Sequence, residues 1–583
     1  MERVKTFHRK KIVFICSVVI LLLIALTIRV GYLMIFEANF LQEKAEQLHN
    51  RERSIKSKRG IIYDRNGIPI AVNQSVTRIS VIHNQITEPE KVTKLLSEKL
   101  ELEYEYVEKK VKNRVAIEII KKNVDKIVAD EIRKLDLDGV MIDEDYRRIY
   151  PFENLAAHVI GFVGSDNQGI IGLEVQYDSF LKGKNGMIYT QTNAKGIEIN
   201  NVAETREEPI DGQNLNVSID INIQQYAQQA LEKVLISKKT EKGSIIVMNP
   251  QNGEIYAMVN KPDFNLNDPF YLENKSLTGK EKENALNQLW RNYAINDTYE
   301  PGSTFKVVTT SAGLEDKVVS LTDTFSCPGY AIVEDRRIRC HKYGGHGAET
   351  FLEGVQNSCN PVFMAVAERL GVDRFLYYLD KFGLNEKTGV DLPGEAVSIM
   401  HKKENIGPVE LATMSFGQSF QITPLQLLRA GAAVVNGGKL VTPHFAVNVT
   451  DQKGNILKTF EYDTSKRAIS EETSVLMCSI LESVVSVGTG RNCFIKGYEV
   501  GGKTATSEKL PRSSNKYISS FLGFAPADNP QVMILVIVDE PKGIYYGGTV
   551  AAPVAKELFE NILPYLGIDP VYEELDQENE SVE

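Results

Sequence analysis

A serine and a lysine three residues apart offer a nucleophile beside a base. Ser303 and Lys306 follow Pro301 and Gly302, which can end an irregular segment and open a helix, and an apolar run of small residues comes next. The spacing places both side chains on one face at the start of a buried helix. A serine hydroxyl attacks at neutral pH only when a neighbour takes its proton, and lysine can do so when burial or another cation lowers its pKa.

The Ser-x-x-Lys pattern alone is a weak signal, because it also occurs at 179–182 and 513–516, where no apolar helix follows. Two further motifs appear downstream in order. Ser358 and Asn360 form a Ser-x-Asn motif on a loop before an apolar helical run. The third motif consists of Lys503, Thr504, Ala505 and Thr506. Three motifs in this order are a much stronger signal than one.

The ordered motifs resemble those of the penicillin-binding and serine β-lactamase superfamily. Residues 59–71 and 147–178 look like the non-catalytic N-terminal domain of class B penicillin-binding proteins, and 417–426 is similar to that family's Gly-Gln-x-x-x-x-Thr-Pro-Leu-Gln segment. The residues before 240 leave no room for a glycosyltransferase domain beside that N-terminal domain. The resemblance is therefore to the class B, monofunctional enzymes, and it looks most like their sporulation-specific branch.

The resemblance implies an α/β (α+β) fold with two domains and a membrane anchor. We expect an elongated N-terminal pedestal or dimerisation domain over residues 37–225. A penicillin-recognising transpeptidase domain, an antiparallel sheet sandwiched by helices, would follow over residues 226–567. The acidic residues after 568 predict a disordered tail over 568–583.

The resemblance also implies a D,D-transpeptidase that cross-links peptidoglycan stem peptides and is inhibited covalently by β-lactams. Ser303 would form the acyl-enzyme, and Lys306, kept neutral by burial and by the charge of Lys503, would be the base. Ser358 would relay a proton to the leaving amine, and Asn360 would orient the base and hold the substrate amide. No cofactor is needed for this chemistry.

The third motif would bind the end of the substrate. Lys503 and Thr504 would hold the terminal carboxylate, and the backbone N–H groups of Ser303 and Thr506 would form the oxyanion hole. Ala505 departs from the family's glycine at this position. A methyl group there can restrict the strand or press on the nucleophile, so we expect altered affinity for β-lactams or substrate before loss of activity.

Two other functions stay open for this sequence. A β-lactam sensor would be acylated without turnover, and an inactive scaffold would only recruit partners. The leading interpretation is a septal or spore-cortex transpeptidase working beside a polytopic glycan polymerase. The net charge of -10 argues against a nucleic-acid binder, since no basic excess is present to neutralise phosphates.

The N-terminus predicts one membrane helix over residues 12–36. Residues 12–28 carry no charge, an apolar extension follows Arg29, and no small-x-small cleavage site lies between Arg29 and Asn39. Basic residues are concentrated in the tail 1–11, which places that tail in the cytoplasm and the rest of the chain outside the cell.

A second group of residues could bind a metal ion. Cys327, Asp335, Cys340 and His346 could complete a tetrahedral structural zinc site. A disulfide between Cys327 and Cys340, or two free buried thiols, are the alternatives. The sequence leaves the three possibilities open.

Overall fold

The computed structural model describes residues 2–38, 40, 50–115, 117–191 and 205–571. Of the predicted acidic tail, residues 572–583 lie outside this range. The strands are Asn50–Ile55 (β1), Ile62–Tyr63 (β2), Pro69–Val81 (β3), Glu118–Val124 (β4), Val140–Ile149 (β5), Gly186–Gln191 (β6), Thr205–Glu207 (β7), Asn214–Val217 (β8), Lys242–Met248 (β9), Ile255–Lys261 (β10), Thr324–Cys327 (β11), Tyr330–Val333 (β12), Arg336–Arg339 (β13), Gly347–Thr350 (β14), Ala446–Thr450 (β15), Ile456–Thr459 (β16), Gly501–Glu508 (β17), Tyr517–Ala525 (β18) and Val532–Asp539 (β19).

The α-helices are Glu2–Ile35 (α1), Pro89–Leu100 (α2), Tyr104–Val111 (α3), Lys126–Arg133 (α4), Ala157–Ile160 (α5), Gly172–Gln176 (α6), Asp178–Leu181 (α7), Ile221–Lys238 (α8), Gly279–Leu289 (α9), Tyr293–Asn296 (α10), Lys306–Glu315 (α11), Phe351–Gln356 (α12), Asn360–Lys381 (α13), Pro408–Met414 (α14), Pro424–Val435 (α15), Glu471–Ser486 (α16), Gly547–Val550 (α17) and Ala552–Tyr565 (α18). Short 3₁₀ turns occupy His83–Gln85, Gly302–Phe305, Lys403–Asn405, Arg491–Cys493 and Arg512–Ser514.

The chain divides into two compact units. The first contains residues 1–58, 74–147 and 183–211, and the second contains 59–73, 148–182 and 212–583. Three segments that the sequence assigns to the pedestal, 59–73, 148–182 and 212–225, therefore group with the catalytic part, because their apolar side chains belong to the large core of the second unit. The predicted boundary at residue 225 stays a prediction.

The first unit begins with the apolar helix α1. Its stretch His8–Ile35 is long and apolar enough to cross a membrane, and its side chains are not buried within the protein. Farther along, the amphipathic helices α2, α3 and α4 pack on the end of β3 and on β4 through a small core that includes Ile79, Leu96 and Ile132. β1, β6 and β7 form a separate three-stranded antiparallel sheet.

The second unit is built on an antiparallel sheet of five strands in the order β10-β9-β19-β18-β17. β19 is buried along its whole length and β18 over all but its first residue, which explains their nearly continuous apolar sequences. Helices α8 and α18 cover one face, and α11, α15 and α16 lie against the other. The predicted helix–sheet–helix arrangement is confirmed, with early strands β9 and β10 joined to the late strand β19.

A buried ion cluster joins three distant segments of the second unit. Glu174 is fully buried and accepts hydrogen bonds from Arg59 at 2.6 Å and from Arg148 at 2.7 Å. The Tyr150 hydroxyl donates to the same carboxylate at 3.2 Å, and Arg59 also pairs with Asp178. Burial works to raise the pKa of Glu174, but the two guanidinium groups outweigh it and hold that pKa below its ordinary value.

Candidate active site

The turn that carries Ser303 is shaped by two closely packed glycines. Gly302 has a φ of +59° and donates its backbone N–H to the Gly417 carbonyl at 2.9 Å. A Cβ on Gly417 would lie 2.2 Å from the Gly302 oxygen, so only glycine fits there. The 3₁₀ turn Gly302–Phe305 then leads directly into α11, which begins at Lys306. Ser303 and Lys306 thus lie one turn apart at a helix start, as their spacing predicts.

Lys306 connects the first motif to the second. Its side chain is 0% exposed, and its ammonium group donates to the Ser358 carbonyl at 2.8 Å, the Ser358 Oγ at 3.1 Å and the Asn360 Oδ1 at 2.7 Å. The Phe363 ring lies 4.9 Å from the same Nζ. The structure therefore brings Lys306, Ser358 and Asn360 together through direct hydrogen bonds.

The backbone of the second motif is held in an uncommon conformation. Ser358 has a φ of +55°, in the left-handed region that non-glycine residues seldom adopt. Asn360 begins α13, and its Nδ2 donates to the Arg339 carbonyl at 3.1 Å. Such strain is typical of functional sites, where surrounding contacts keep a side chain in one orientation.

The third motif lies on β17, the edge strand of the five-stranded sheet, and passes beside the nucleophile turn. A Cβ on Gly302 would lie 3.7 Å from the Ala505 Cβ and 2.2 Å from the Ser507 Oγ, so the two backbones are close. Ala505 itself is buried against this turn. The extra methyl group therefore lies against the turn that carries Ser303, and whether it presses on the nucleophile or restricts the strand stays a prediction.

The remaining residues of this motif point in two directions. Lys503 is buried near Lys306, and its ammonium group lies 3.4 Å from the Thr504 carbonyl. The Thr504 hydroxyl donates to the Thr489 hydroxyl at 3.3 Å, and the Thr506 hydroxyl accepts the Gly547 N–H at 3.0 Å. The Lys503 amine therefore forms one wall of the site, and the opposite face of the strand carries hydroxyl groups.

Burial sets the protonation of both lysines. It lowers the pKa of Lys306 to about 7, against the opposing influence of the Cys340, Cys359 and Glu349 side chains. Burial also lowers the pKa of Lys503 well below its ordinary value, and the neighbouring Lys306 lowers it further. Two ammonium groups share this dry site, which favours a neutral amine on one of them at neutral pH.

Three cysteines and one histidine meet beside the second motif. Ligand atoms of Cys327, Cys340, His346 and Cys359 all lie within 4.8 Å of one another. Cys327 ends β11, Cys340 follows β13, His346 precedes β14, and pairing of β11 with β14 brings these segments together. All six cysteines are free thiols, so Cys327 and Cys340 are not joined by a disulfide.

The prediction that Asp335 belongs to this cluster is wrong. Its side chain is 83% exposed in the turn between β12 and β13 and interacts with Arg336. The hairpin carries it away from its base, where Cys327 and Cys340 lie. Cys359, the middle residue of the Ser-x-Asn motif, takes its place in the cluster. Cys359 lies between two candidate catalytic residues in the sequence, which could have marked it as a candidate ligand. Only the fold shows that its Sγ lies beside the other ligand atoms.

Comparison with known proteins decides the family. A family model described as the penicillin binding protein transpeptidase domain matches residues 243–560, and the penicillin-binding protein dimerisation domain matches residues 54–217. Stage V sporulation protein D of Bacillus subtilis is 40% identical over 96% of this chain and 86% of its own length. The chain belongs to the class B penicillin-binding proteins. As a member of this family, it is a serine-type peptidoglycan D,D-transpeptidase.

Other relatives of this class B penicillin-binding protein agree with the assignment. The peptidoglycan D,D-transpeptidase FtsI of Escherichia coli is 29% identical over 98% of this chain and 94% of its own length. The solved structure of a peptidoglycan synthetase from Bifidobacterium adolescentis has a TM-score of 0.72 at 22% identity and covers 90% of this chain and 98% of that one. That likeness concerns the fold alone.

Proposed function

We propose that this class B penicillin-binding protein cross-links stem peptides through an acyl-enzyme on Ser303, with Lys306 as the base. The observation that carries the proposal is the position of the buried Lys306 amine. Lys306 begins the helix that follows Ser303, and its amine contacts both Ser358 and Asn360 of the second motif. A desolvated lysine with a pKa of about 7 can accept a hydroxyl proton at neutral pH.

In the first half-reaction the Ser303 Oγ forms a bond to the carbonyl carbon between the two terminal D-alanines, and its proton passes to the Lys306 Nζ. The backbone N–H groups of Ser303 and Thr506 stabilise the oxyanion. The C–N bond then breaks, and the leaving amine takes a proton through the Ser358 hydroxyl. An amine from a second stem attacks the acyl carbon, the ester bond to Ser303 breaks, and the hydroxyl regains a proton.

Lys503 and Thr504 would position the donor by its terminal carboxylate. Burial lowers the pKa of Lys503 in the free protein, and an anionic ligand beside it would raise that pKa and favour the protonated form. Asn360 would hold the substrate amide while fixing Lys306 through its Oδ1.

Labelling of the full-length protein with a fluorescent penicillin tests this function. We expect the wild-type protein to be labelled covalently and the Ser303→Ala variant to remain unlabelled, because only Ser303 supplies the attacking oxygen. An unlabelled wild-type protein would favour the inactive scaffold, whereas labelling that survives Ser303→Ala would refute the nucleophile. Stable labelling without cross-linking of stem peptides would favour the β-lactam sensor.

The pH dependence of acylation follows from the Lys306 pKa. Below about pH 7 the amine is protonated and cannot accept the serine proton, so the acylation rate should fall about tenfold for each further pH unit. Above that pH the rate should level off. Second-order rate constants for penicillin acylation between pH 5 and pH 9 measure this dependence. A rate that keeps rising up to pH 9 would mean that the base has the ordinary lysine pKa, which would contradict a neutral Lys306 at pH 7.

We also propose that the four-residue cluster holds a structural zinc ion. Three sulfur ligands and one imidazole suit tetrahedral zinc, whose thiolate ligands would lie about 3.8 Å apart. Cys359 donates a hydrogen bond that lowers the pKa of Cys340, and the same contact raises the pKa of Cys359, so a cation is needed to ionise both. Because Cys359 lies between Ser358 and Asn360, a bound ion would fix the second motif in place.

Zinc content tests the cluster directly. Protein purified without added metal should contain about one equivalent of zinc, the Cys359→Ser variant should lose most of it, and Asp335→Asn should retain it. Elemental analysis of the three proteins provides the measurement. Less than about half an equivalent in the wild-type protein, or a loss in Asp335→Asn equal to that in Cys359→Ser, would refute the assigned ligand set.

We further propose that α1 anchors the protein with residues 1–11 in the cytoplasm and the catalytic domain outside. The basic residues before the helix support this orientation. The 40% identity to a protein named for sporulation supports a role in spore-cortex or septal wall synthesis beside a polytopic glycan polymerase. Protease treatment of intact cells should remove the catalytic domain and leave the first residues protected.

A further inference from the structure

The segment that leads into the nucleophile turn is held by hydrogen bonds on one side only. Tyr299 exchanges two backbone hydrogen bonds with Ile422, at 3.0 and 3.1 Å, and Gly302 makes the backbone bond described above. Between these bonds the Ser419 N–H donates to the Glu300 Oε1 at 2.9 Å, where Ser419 has a φ of +70°. The loop around Ser419 therefore fixes the start of the turn at three successive points.

The contact of the turn with β17 is different. The two backbones nearly touch at Gly302, where an added Cβ would lie 2.2 Å from a side-chain oxygen of β17. Within the stretches 299–306 and 501–516, both fully described by the structure, a single polar contact joins one stretch to the other. It is the ion pair between Glu300 and Arg512. The spacing of turn and strand therefore depends on packing and on this ion pair.

The ion pair is anchored at both of its ends. Glu300 is 8% exposed, and the Arg512 Nη2 donates to its two oxygens at 3.2 and 3.1 Å. The Arg512 Nη1 also donates to the carbonyl of Glu508, the last residue of β17, at 3.5 Å. Exposed ion pairs contribute little, but here the carboxylate is buried and already bonded to a backbone N–H, which fixes its orientation. Arg512 thus ties the end of β17 to the nucleophile segment.

The spacing matters because the proposed oxyanion hole has one N–H group on each side of it. The Ser303 N–H belongs to the turn, and the Thr506 N–H belongs to β17. A strand rises about 3.3 Å per residue, so Thr506 lies roughly 7 Å from Glu508, which Arg512 contacts. Both donors must lie within about 2.7–3.1 Å of the same oxyanion, so a small change in spacing weakens at least one of them.

We propose that Glu300 and Arg512 are positioning residues that set the width of the oxyanion hole. They act through the backbones of the turn and of β17, and they stabilise the transition state by keeping the two N–H groups at one separation. The inference rests on the proposed function and adds two residues that lie outside its three motifs.

Acylation of the full-length protein by benzylpenicillin tests the ion pair. Arg512→Met keeps the aliphatic stem but removes the cation. The acylation rate constant at saturating penicillin should therefore fall about tenfold, while the dissociation constant of the non-covalent complex should change less than about twofold. Arg369→Met is the matched control, because it removes an ion pair of similar exposure, with Asp323, from the middle of α13. It should acylate at the wild-type rate.

Three further variants separate this role from a loss of stability. Arg512→Lys should stay within about threefold of the wild-type rate, because Nη2 alone contacts both carboxylate oxygens and an ammonium group can replace it. Glu300→Gln keeps an acceptor for the Ser419 N–H and should lose about tenfold. The double variant Glu300→Gln, Arg512→Met should lose no more than either single variant, because both changes break one contact. Thermal unfolding verifies that each variant is folded.

The carbonyl stretch of the acyl-enzyme reports on the oxyanion hole directly. Hydrogen bonds to the ester oxygen lower its stretching frequency, so infrared difference spectra with benzylpenicillin labelled with ¹³C at the β-lactam carbonyl should show a low-frequency band for the wild-type protein and for Arg369→Met. In Arg512→Met the band should move to higher frequency. A structural change elsewhere in the molecule would leave this band in place.

Failure of this inference is distinguishable from failure of the proposed function. If the wild-type protein is not acylated by benzylpenicillin, the proposed function fails. If it is acylated, the positioning role alone is overturned by any of three results: Arg512→Met and Glu300→Gln that acylate at the wild-type rate, a loss confined to the dissociation constant, or a carbonyl band of Arg512→Met at the wild-type frequency.

Discussion

Replacement of Lys306 by glutamine should slow acylation by β-lactams by about 10² to 10⁴, the usual contribution of a general base. Lys306 is the buried amine that contacts Ser358 and Asn360, and glutamine can keep hydrogen bonds to both but cannot accept a proton from Ser303. Because burial of an ammonium group is costly, the variant should be at least as stable as the wild-type protein. Stopped-flow labelling and thermal unfolding measure the two effects.

The exposed Lys496 provides a matched control for this substitution, because Lys496→Gln removes the same charge from a solvated position. It should label at the wild-type rate. The Lys306→Gln variant should also lose the acid limb near pH 7 in its remaining activity. A variant that acylates within about threefold of the wild-type rate would show that another group takes the serine proton.

Loss of the Glu174 carboxylate should reduce the free energy of unfolding by about 3–5 kcal/mol. Glu174→Ala leaves the buried Arg59 and Arg148 guanidinium groups without the carboxylate that they share. Glu174→Gln should cost less, because its amide oxygen still accepts one hydrogen bond. Urea unfolding of the full-length protein in detergent gives the difference, with Glu461→Ala, at an exposed loop position, as the control.

A Glu174→Ala variant that is as stable as Glu461→Ala would contradict this prediction. Such a result would mean that water reaches both arginines or that Asp178 neutralises Arg59 by itself. Labelling of the folded Glu174→Ala protein by penicillin should still reach completion, because the cluster is not part of the proposed catalytic set. A folded variant that cannot be labelled would instead show that this cluster helps to hold the active site in its functional conformation.

Local spacing predicted the placement of each candidate pair well because each motif is short. Ser303 and Lys306 lie one helical turn apart, and Ser358 and Asn360 lie two residues apart before a helix, so a helix start is sufficient to place each pair. That the two pairs lie close together in space was inferred only from the resemblance to class B penicillin-binding proteins. The nearly continuous apolar runs of β18 and β19 are typical of strands buried on two faces, which is how both lie in the sheet.

The features that sequence reasoning missed depend on distant contacts. The pairing of β11 with β14 brings Cys327 and His346 to Cys359, whereas Asp335, close to Cys340 in the sequence, is directed into solvent by a hairpin. The network at Glu174 joins segments far apart in the chain, and no local pattern indicates which arginine reaches it. The close packing of Gly302 against Gly417 likewise cannot be predicted from the local sequence.

The proposed function requires that the Ser303 Oγ becomes acylated. The most direct measurement is peptide mapping by mass spectrometry after reaction of the full-length protein with a thioester stem-peptide donor, quenched before acceptor is added. We expect an acyl adduct on the peptide that contains Ser303 and its transfer to an added acceptor amine. An adduct on any other residue, or one on Ser303 that no acceptor removes, would contradict it.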